Sequence, residues 1–410
     1  MSIGHFDFPV VSRDSKAEDL VNAAKSLIPA LAEGASARDL QRRLPHEEME
    51  WVRKAGITAA RVPQAWNGPE LAYSELAKVM IALAEGEPNI AQALIPHFTS
   101  VGRLRLNGSP AQHERYFAGL RHGDIISGAT GELGGKFVTD MTTRIINSEN
   151  GLRLRGKKFY STGGLLADRL RVTAKDETGN TVSVLIPRQR AGIVQHDDWD
   201  GMGQRLTASG TTEFNDVLVH RDEVMFYSNV LNKRRNYQPA ATQMLHSTIE
   251  VGITFAVLKD AIDWAHRGAR PRAESGVERS TDDWYVQHIV GNIAAHAHAA
   301  EATLLRAALH VDRAVDAWYG NLSEEAREEA LIAASIATAE AKIICNEVAL
   351  KAAELIYDIG GSSATLRTNN FDRHWRNART HTTHDPINHR YRVVGRHWLD
   401  QTPPPIPMYA

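Results

Sequence analysis

Two histidines three residues apart, His381 and His384, close a stretch that reads Trp375-Arg376-Asn377-Ala378-Arg379-Thr380-His381-Thr382-Thr383-His384-Asp385-Pro386. Imidazole is the side chain that titrates unperturbed near neutral pH, so the pair points to proton handling, metal binding or contact with an oxyanion. A metal site needs a third ligand. Asp385 is adjacent, but the spacing matches no standard zinc signature. The single cysteine, Cys345, excludes an intrachain disulfide and any multi-cysteine metal cluster. Elsewhere, Lys158-Phe159-Tyr160-Ser161-Thr162-Gly163 runs an aromatic strand end into a hydroxyl pair and a glycine. Such a segment can lay main-chain amides and a hydroxyl against the polar rim of a planar apolar ring. Ser127-Gly128-Ala129-Thr130-Gly131-Glu132 is a second loop of small residues, and His97 lies in Ile95-Pro96-His97-Phe98. Arg270-Pro271-Arg272 offers a guanidinium fork of the kind that grips phosphate. His296 and His298 are two residues apart on a helical stretch and cannot share a face.

The elements that position these residues fall into three zones: 1–122, 123–230 and 231–410. The first reads helical, with a capping box at Ser15-Lys16-Ala17-Glu18 and helical spacing of Leu76, Val79, Met80 and Leu83. The second is a series of short β-rich runs, at 144–146, 152–154, 170–172, 181–186 and 212–219, punctuated by Gly156, Gly179-Asn180 and Asn215-Asp216. Strands so spaced predict a small barrel or sandwich. The third zone holds long alanine-rich amphipathic stretches at 242–267, 282–318 and 323–358, long enough for a helical bundle. The predicted class is α+β: a helical domain, a small central β-barrel and a C-terminal four-helix bundle.

With 410 residues and 43% hydrophobic content, the chain can bury a large core, and a net charge of −2 gives no general attraction to nucleic acid or anionic membrane. No apolar run approaches the roughly 20 residues that cross a bilayer. Met1-Ser2-Ile3-Gly4-His5-Phe6-Asp7 lacks the basic and apolar regions of a secretory signal. A soluble cytoplasmic protein is expected.

The order of zones, together with three strings, resembles the acyl-CoA dehydrogenase superfamily over essentially the whole chain. The strings are Gly156 to Gly163, Asp198-Trp199-Asp200-Gly201-Met202-Gly203-Gln204-Arg205-Leu206-Thr207-Ala208-Ser209-Gly210, and Asp372-Arg373-His374-Trp375 through Pro386. The chain is most similar to the reduced-flavin monooxygenase branch, which includes dibenzothiophene monooxygenase and sulfur-acquisition oxidoreductases. Dehydrogenases of the superfamily carry a catalytic glutamate just after the C-terminal arginine motif. Here no Glu occurs from Leu355 onward, and His381 and His384 occupy that stretch. A few relatives place the base on an earlier helix, where this chain has Glu250.

The resemblance implies a two-component monooxygenase. Reduced FMN, or FAD as the alternative, arrives from a separate NAD(P)H-dependent flavin reductase and reacts with O2 through a flavin hydroperoxide to oxygenate a small, organosulfur substrate. The alternatives are an FAD-dependent acyl-CoA dehydrogenase or oxidase, and an N-hydroxylase of an amine. It further implies that His97, Ser161, His381 and His384 carry the chemistry. Gly128, Thr130, Gly131, Tyr160, Ser161, Thr162, Arg270, Gly360, Gly361 and Arg379 would hold the cofactor, in a homotetramer packed through its long helices. Imidazoles serve oxygen transfer better than carboxylates, which repel a developing peroxide anion.

Overall fold

The computed structural model describes residues 12, 14–137, 140–226 and 234–406. Six helices come first: α1 (Ala17–Glu33), α2 (Ala35–Gln41), α3 (His46–Lys54), α4 (Tyr73–Gly86), α5 (Pro88–Asn107) and α6 (Pro110–Arg121). The strands follow as β1 (Ile126–Ala129), β2 (Arg144–Ser148), β3 (Gly151–Lys158), β4 (Arg169–Lys175), β5 (Thr181–Pro187), β6 (Ile193–Gln195), β7 (Thr212–Val219) and β8 (Val224–Phe226). The last part is helical again: α7 (Gln238–Arg267), α8 (Trp284–Tyr319), α9 (Glu324–Gly360), α10 (Asp372–Thr382) and α11 (Ile387–Asp400).

The helices form where periodicity asks for them. On α8 the buried residues Val286, Ile289, Ile293, Ala297, Ala300, Leu304 and Val311 recur every three or four positions, making one apolar stripe. That stripe packs against α9 and α7, and one continuous core runs from α1 and α4 through α7 to α9. Alanine in these stripes lets the long helices approach closely while keeping a strong helix former at each position. One expectation fails at the first helix. Ser15 does not cap α1; the N-cap is Lys16 with no side-chain bond, and the Ser15 hydroxyl accepts instead from the Ser12 amide at 3.2 Å. The serine is spent on the preceding turn.

The strands build one sheet in the order β6-β7-β3-β2-β4-β5-β8, with β1 parallel to β4 along Ile126↔Arg169 to Ala129↔Val172. The predicted strand positions hold, but the barrel is not closed by hydrogen bonds: the path ends at β6 and β8, which share no ladder among the described residues. The central strands β4 and β5 are buried along five consecutive residues each, so both faces of the sheet are covered there. The sheet has its own core of Leu154, Leu170, Val172, Val184, Phe214 and neighbours. β1 leans on α5: His97 accepts the Ile126 amide proton at Nδ1 (3.2 Å), and the opposite ring nitrogen donates to the Thr58 carbonyl at 2.7 Å.

Candidate active site

The site grows from two groups of residues joined by one loop. The first lies at the end of β3. Ser161 and Gly163 donate their amides to the carbonyls of Gly210 and Thr207 at 3.2 and 2.8 Å. Ser127 donates its hydroxyl to the Thr162 carbonyl at 2.8 Å, and Thr162 and Ser209 share a hydroxyl bond of 3.0 Å. Three segments, 127–131, 159–163 and 207–210, thereby become one surface. Its rim is clasped by the buried pair Lys158 and Glu132 at 2.7 Å, with Lys158 also donating to the Thr130 carbonyl. Burial pushes the Glu132 carboxyl up, but hydrogen bonds from Lys158, Thr142 and Thr143 outweigh it and bring it down to about 2.

This surface fits a flat aromatic ring with polar edges. The Ser161 hydroxyl is buried without a hydrogen-bond partner among the described residues. Tyr160, at φ +57, turns half-exposed beside Phe159 and Trp199, with ring centroids 4.8–6.2 Å apart. Gly131 faces the Tyr160 ring so closely that a Cβ would stand 3.3 Å from it, and a Cβ on Gly128 would stand 3.2 Å from Pro96. A buried lone hydroxyl beside small residues is an acceptor or donor held ready for a ligand.

The second group is buried between α7, α9 and the end of α10. His246 and Glu250 lie four apart on one face of α7. Glu250 Oε1 accepts from His381 Nδ1 at 2.6 Å, and His381 Nε2 stands 3.0 Å from His246 Nδ1. The His246 ring lies 4.3 Å from that of His384, tilted by 31°. His384 Nδ1 is 3.4 Å from Asp385, which also faces Lys342 at 3.6 Å and Arg390 at 3.8 Å. His384 is half-exposed, whereas His246, Glu250, His381 and Lys342 are buried. Burial raises Glu250, but the charge and hydrogen bond of His381 and the Lys342 ammonium hold it below the usual carboxylate range. Burial, then the positive charge of His384, His381 and Lys342, pushes His246 well below an ordinary imidazole. Lys342 is pushed down by burial, although Glu250 and Asp385 oppose the shift.

The loop 198–210 ties the two groups together. On α10, Asn377 Oδ1 accepts the Gln204 amide at 2.7 Å, and Arg376 donates to the Met202 carbonyl at 3.1 Å while gripping Asp39 and Asp372 at 2.6 Å each. Two residues on, Asn89 accepts the Leu206 amide at 3.0 Å. One turn along α10 from Asn377 comes His381.

The structure distributes the expected site residues unevenly. Gly128, Thr130, Gly131, Tyr160, Ser161 and Thr162 share the first surface, and His381 and His384 join the second group. His97 sits apart as a packed staple between α5, the 57–59 turn and β1. It is fully buried, both ring nitrogens are bonded, and burial brings it down to about 4. It has no free nitrogen to offer a substrate, which works against the expected role. Arg270 is exposed just beyond α7, and Gly360 packs on Trp264 of the same helix, where a Cβ would lie 1.8 Å from the indole nitrogen. Arg270, Gly360 and Gly361 therefore share one end of the helical domain, and Arg379 is exposed on α10. Sequence reasoning missed His246 and Lys342. The four-residue spacing of His246 and Glu250 was the available signal; Lys342 gives none without the packing of α9. Among the described residues no three His, Cys, Asp or Glu side chains converge as a metal site.

Two family models match: the N-terminal domain of acyl-CoA dehydrogenases over residues 18–124 and the C-terminal domain over residues 244–389. The chain belongs to the acyl-CoA dehydrogenase family. It is 28% identical to a dibenzothiophene monooxygenase of Mycolicibacterium goodii, over 97% of this chain and 98% of the relative. It is 27% identical to a probable FMNH2-dependent monooxygenase of Pseudomonas putida, over 94% and 96% of the two chains. The FMN-bound dibenzothiophene monooxygenase of Paenibacillus sp. A11-2 superposes with a TM-score of 0.87 at 27% identity, over 95% of this chain and 100% of that one.

Proposed function

We propose that this chain is the oxygenase of a two-component flavin monooxygenase, using reduced FMN and O2 to oxygenate a small organosulfur compound. The observation that carries it is the occupation of Glu250. The carboxylate nearest the imidazoles is enclosed in the core, its Oε1 engaged by His381 at 2.6 Å and its Oε2 buried without a partner among the described residues, so it is tied to the imidazole chain rather than presented at the surface as a dehydrogenase base. What stands half-exposed is an imidazole, His384. The named activities of the relatives above support the same reading, and the enclosure of Glu250 in the core disfavours the dehydrogenase alternative.

Reduced FMN, when bound, supplies the two electrons with which O2 gives one oxygen atom to the substrate sulfur and releases the other as water. The surface of Gly128, Thr130, Gly131, Tyr160, Ser161 and Thr162 would hold its ring, with the Ser161 hydroxyl free for a ring nitrogen or oxygen. Arg270, Arg379 and the Gly360-Gly361 turn would serve its phosphate. His384, backed by Asp385, would hydrogen-bond and lend a proton to the reacting oxygen, and the clustered rings of Phe159, Tyr160 and Trp199 would offer an apolar wall beside it. A separate NAD(P)H-dependent reductase, a cytoplasmic location and a homotetramer complete the proposal. No helix among the described residues is long and apolar enough to cross a membrane. The exposed Trp284, Leu309, Tyr319 and Ile344 along α8 and α9, with Leu322 in the turn between them, suit packing between protomers.

The test is anaerobic titration with reduced FMN, followed by O2 and dibenzothiophene or a simple sulfide, with products read by mass spectrometry. Sulfoxide or sulfone is expected, and His384→Ala lowers its yield about 100-fold. Reduction of bound FAD by an acyl thioester, with no sulfur oxygenation, sinks the proposal. Light scattering in solution checks the fourfold mass of the tetramer.

A further inference from the structure

The half-exposed imidazole does not stand alone. Behind it runs an uninterrupted chain of buried groups, from Glu250 through His381 to His246, whose ring lies against the face of His384. Buried polar groups destabilise a fold unless they are paired, and a chain of three that ends against a half-exposed fourth is hard to account for as packing. We propose that Glu250, His381 and His246 form an orienting triad, and that His246 is the positioning residue that fixes the ring of His384 for oxygen transfer; this rests on the monooxygenase reading.

The bonding leaves few choices. Glu250 is a carboxylate, so His381 Nδ1 carries a proton and donates it. Between His381 Nε2 and His246 Nδ1, at 3.0 Å, there is room for one proton only; two N–H groups facing each other would repel. One ring therefore donates and the other accepts, and the rotation of both is set. His246 so fixed offers His384 a flat face at 4.3 Å. The charges around it come from every neighbouring element: Glu250 on α7, Lys342 on α9, His381 on α10, Asp385 after it and Arg390 on α11. Lys342 and Arg390 face Asp385, and His381 faces Glu250. Each carboxylate thus has a cationic or proton-donating partner, and His246 is left as the neutral member. A second positive ring 4.3 Å beneath His384 would repel any cation beside it, so a neutral His246 spares the site that repulsion.

No net proton is consumed by this set. Reduced FMN brings two hydrogens, one oxygen atom goes to sulfur, and the other leaves as water with both hydrogens. His384 lends a proton and regains it within the turnover.

Two readouts test the triad. In the flavin-free chain, labelled with 15N-histidine, two exchange-protected imidazole N–H resonances are expected from the triad, besides those of the buried His97 against Thr58 and His374 against Asp260. One belongs to His381 against Glu250 and the other is shared between His381 and His246. His246→Phe, which keeps a ring beneath His384, removes the second and retains the first, and Glu250→Gln weakens the first. In the reaction with dibenzothiophene, both variants bind reduced FMN anaerobically within about twofold of the parent, yet release about tenfold more hydrogen peroxide per flavin oxidised, with an altered pH profile. His246→Gln, which restores a hydrogen-bond partner but no ring, returns the His381 Nε2 nitrogen to its hydrogen-bonded chemical shift and does not restore the coupling. If the unaltered chain lacks the shared resonance, or if His246→Phe couples as well as the parent across pH, the triad is wrong. If the unaltered chain makes no oxygenated product while both resonances are present, the monooxygenase reading fails and the hydrogen-bonded chain stands.

Discussion

Ser161 is a buried hydroxyl with no hydrogen-bond partner among the described residues, and such a group costs stability of about 1–3 kcal/mol unless a ligand takes it up. Ser161→Ala is therefore expected to leave the flavin-free chain as stable as before or slightly more so, while weakening reduced-FMN affinity about tenfold, as read by anaerobic fluorescence titration. Unchanged affinity would remove Ser161 from the cofactor surface. At this scale the sequence was partly legible. His381, His384 and Ser161 announce themselves by type and neighbourhood. His97 announces itself equally well, yet its two ring nitrogens are used by Thr58 and Ile126, which lie 39 and 29 residues away in the chain. A ring's partners decide its role, and partners so distant leave no local trace.

Among the elements, α10 has the most to do for its length. It bonds to Asp39 of α2, to Asp260 of α7 through Arg373 and His374, and to the 202–204 loop. Gly203 is what lets the loop come so near. A Cβ there would lie 1.9 Å from the Arg376 carbonyl oxygen and 2.6 Å from the Asn377 amide. Gly203→Ala is expected to destabilise the fold by roughly 3 kcal/mol and to lower oxygenation with it, because the backbones are forced apart. Chemical denaturation of both forms measures this, and an equal midpoint would show that the loop accommodates the methyl. Helix and strand positions were legible because their periods are local. The open sheet was not, because closure depends on whether the edge strands β6 and β8 meet, and no alternation pattern encodes that. Ser15 misled for a related reason: a serine two residues ahead of a helix can bond the turn before it as well as the helix after it.

For the molecule as a whole, buried imidazoles set the acid side of the stability curve. Burial holds His97 at about 4, pushes His246 well below its ordinary value, and lowers His374 as well. The unfolded chain binds protons at these sites near pH 6.5 and the folded chain does not. Full stability is thus present above pH 6.5 and declines as pH falls toward the folded values. For His97 alone, the loss by pH 5 is roughly 2 kcal/mol. The urea midpoint is expected to fall clearly between pH 7 and pH 5, and His97→Gln, less stable at pH 7, is expected to show a shallower fall. Parallel curves for the two proteins would refute the assignment. The paired carboxylates Glu132 and Asp260 are depressed and add their losses only at lower pH.

The docking of α10 also fixes when the site can exist. Ser161 belongs to the β-sheet region, His246 to the start of the C-terminal helices, and His384 to a segment made after both. Until α10 has been synthesised and seated against Asp39, Asp260 and Gln204, the histidines have no fixed place relative to the β surface. A chain emerging from the ribosome therefore has no assembled oxygen chemistry until that segment has followed the rest. The reactive arrangement arrives in one closing event that requires every earlier part to be correctly in place.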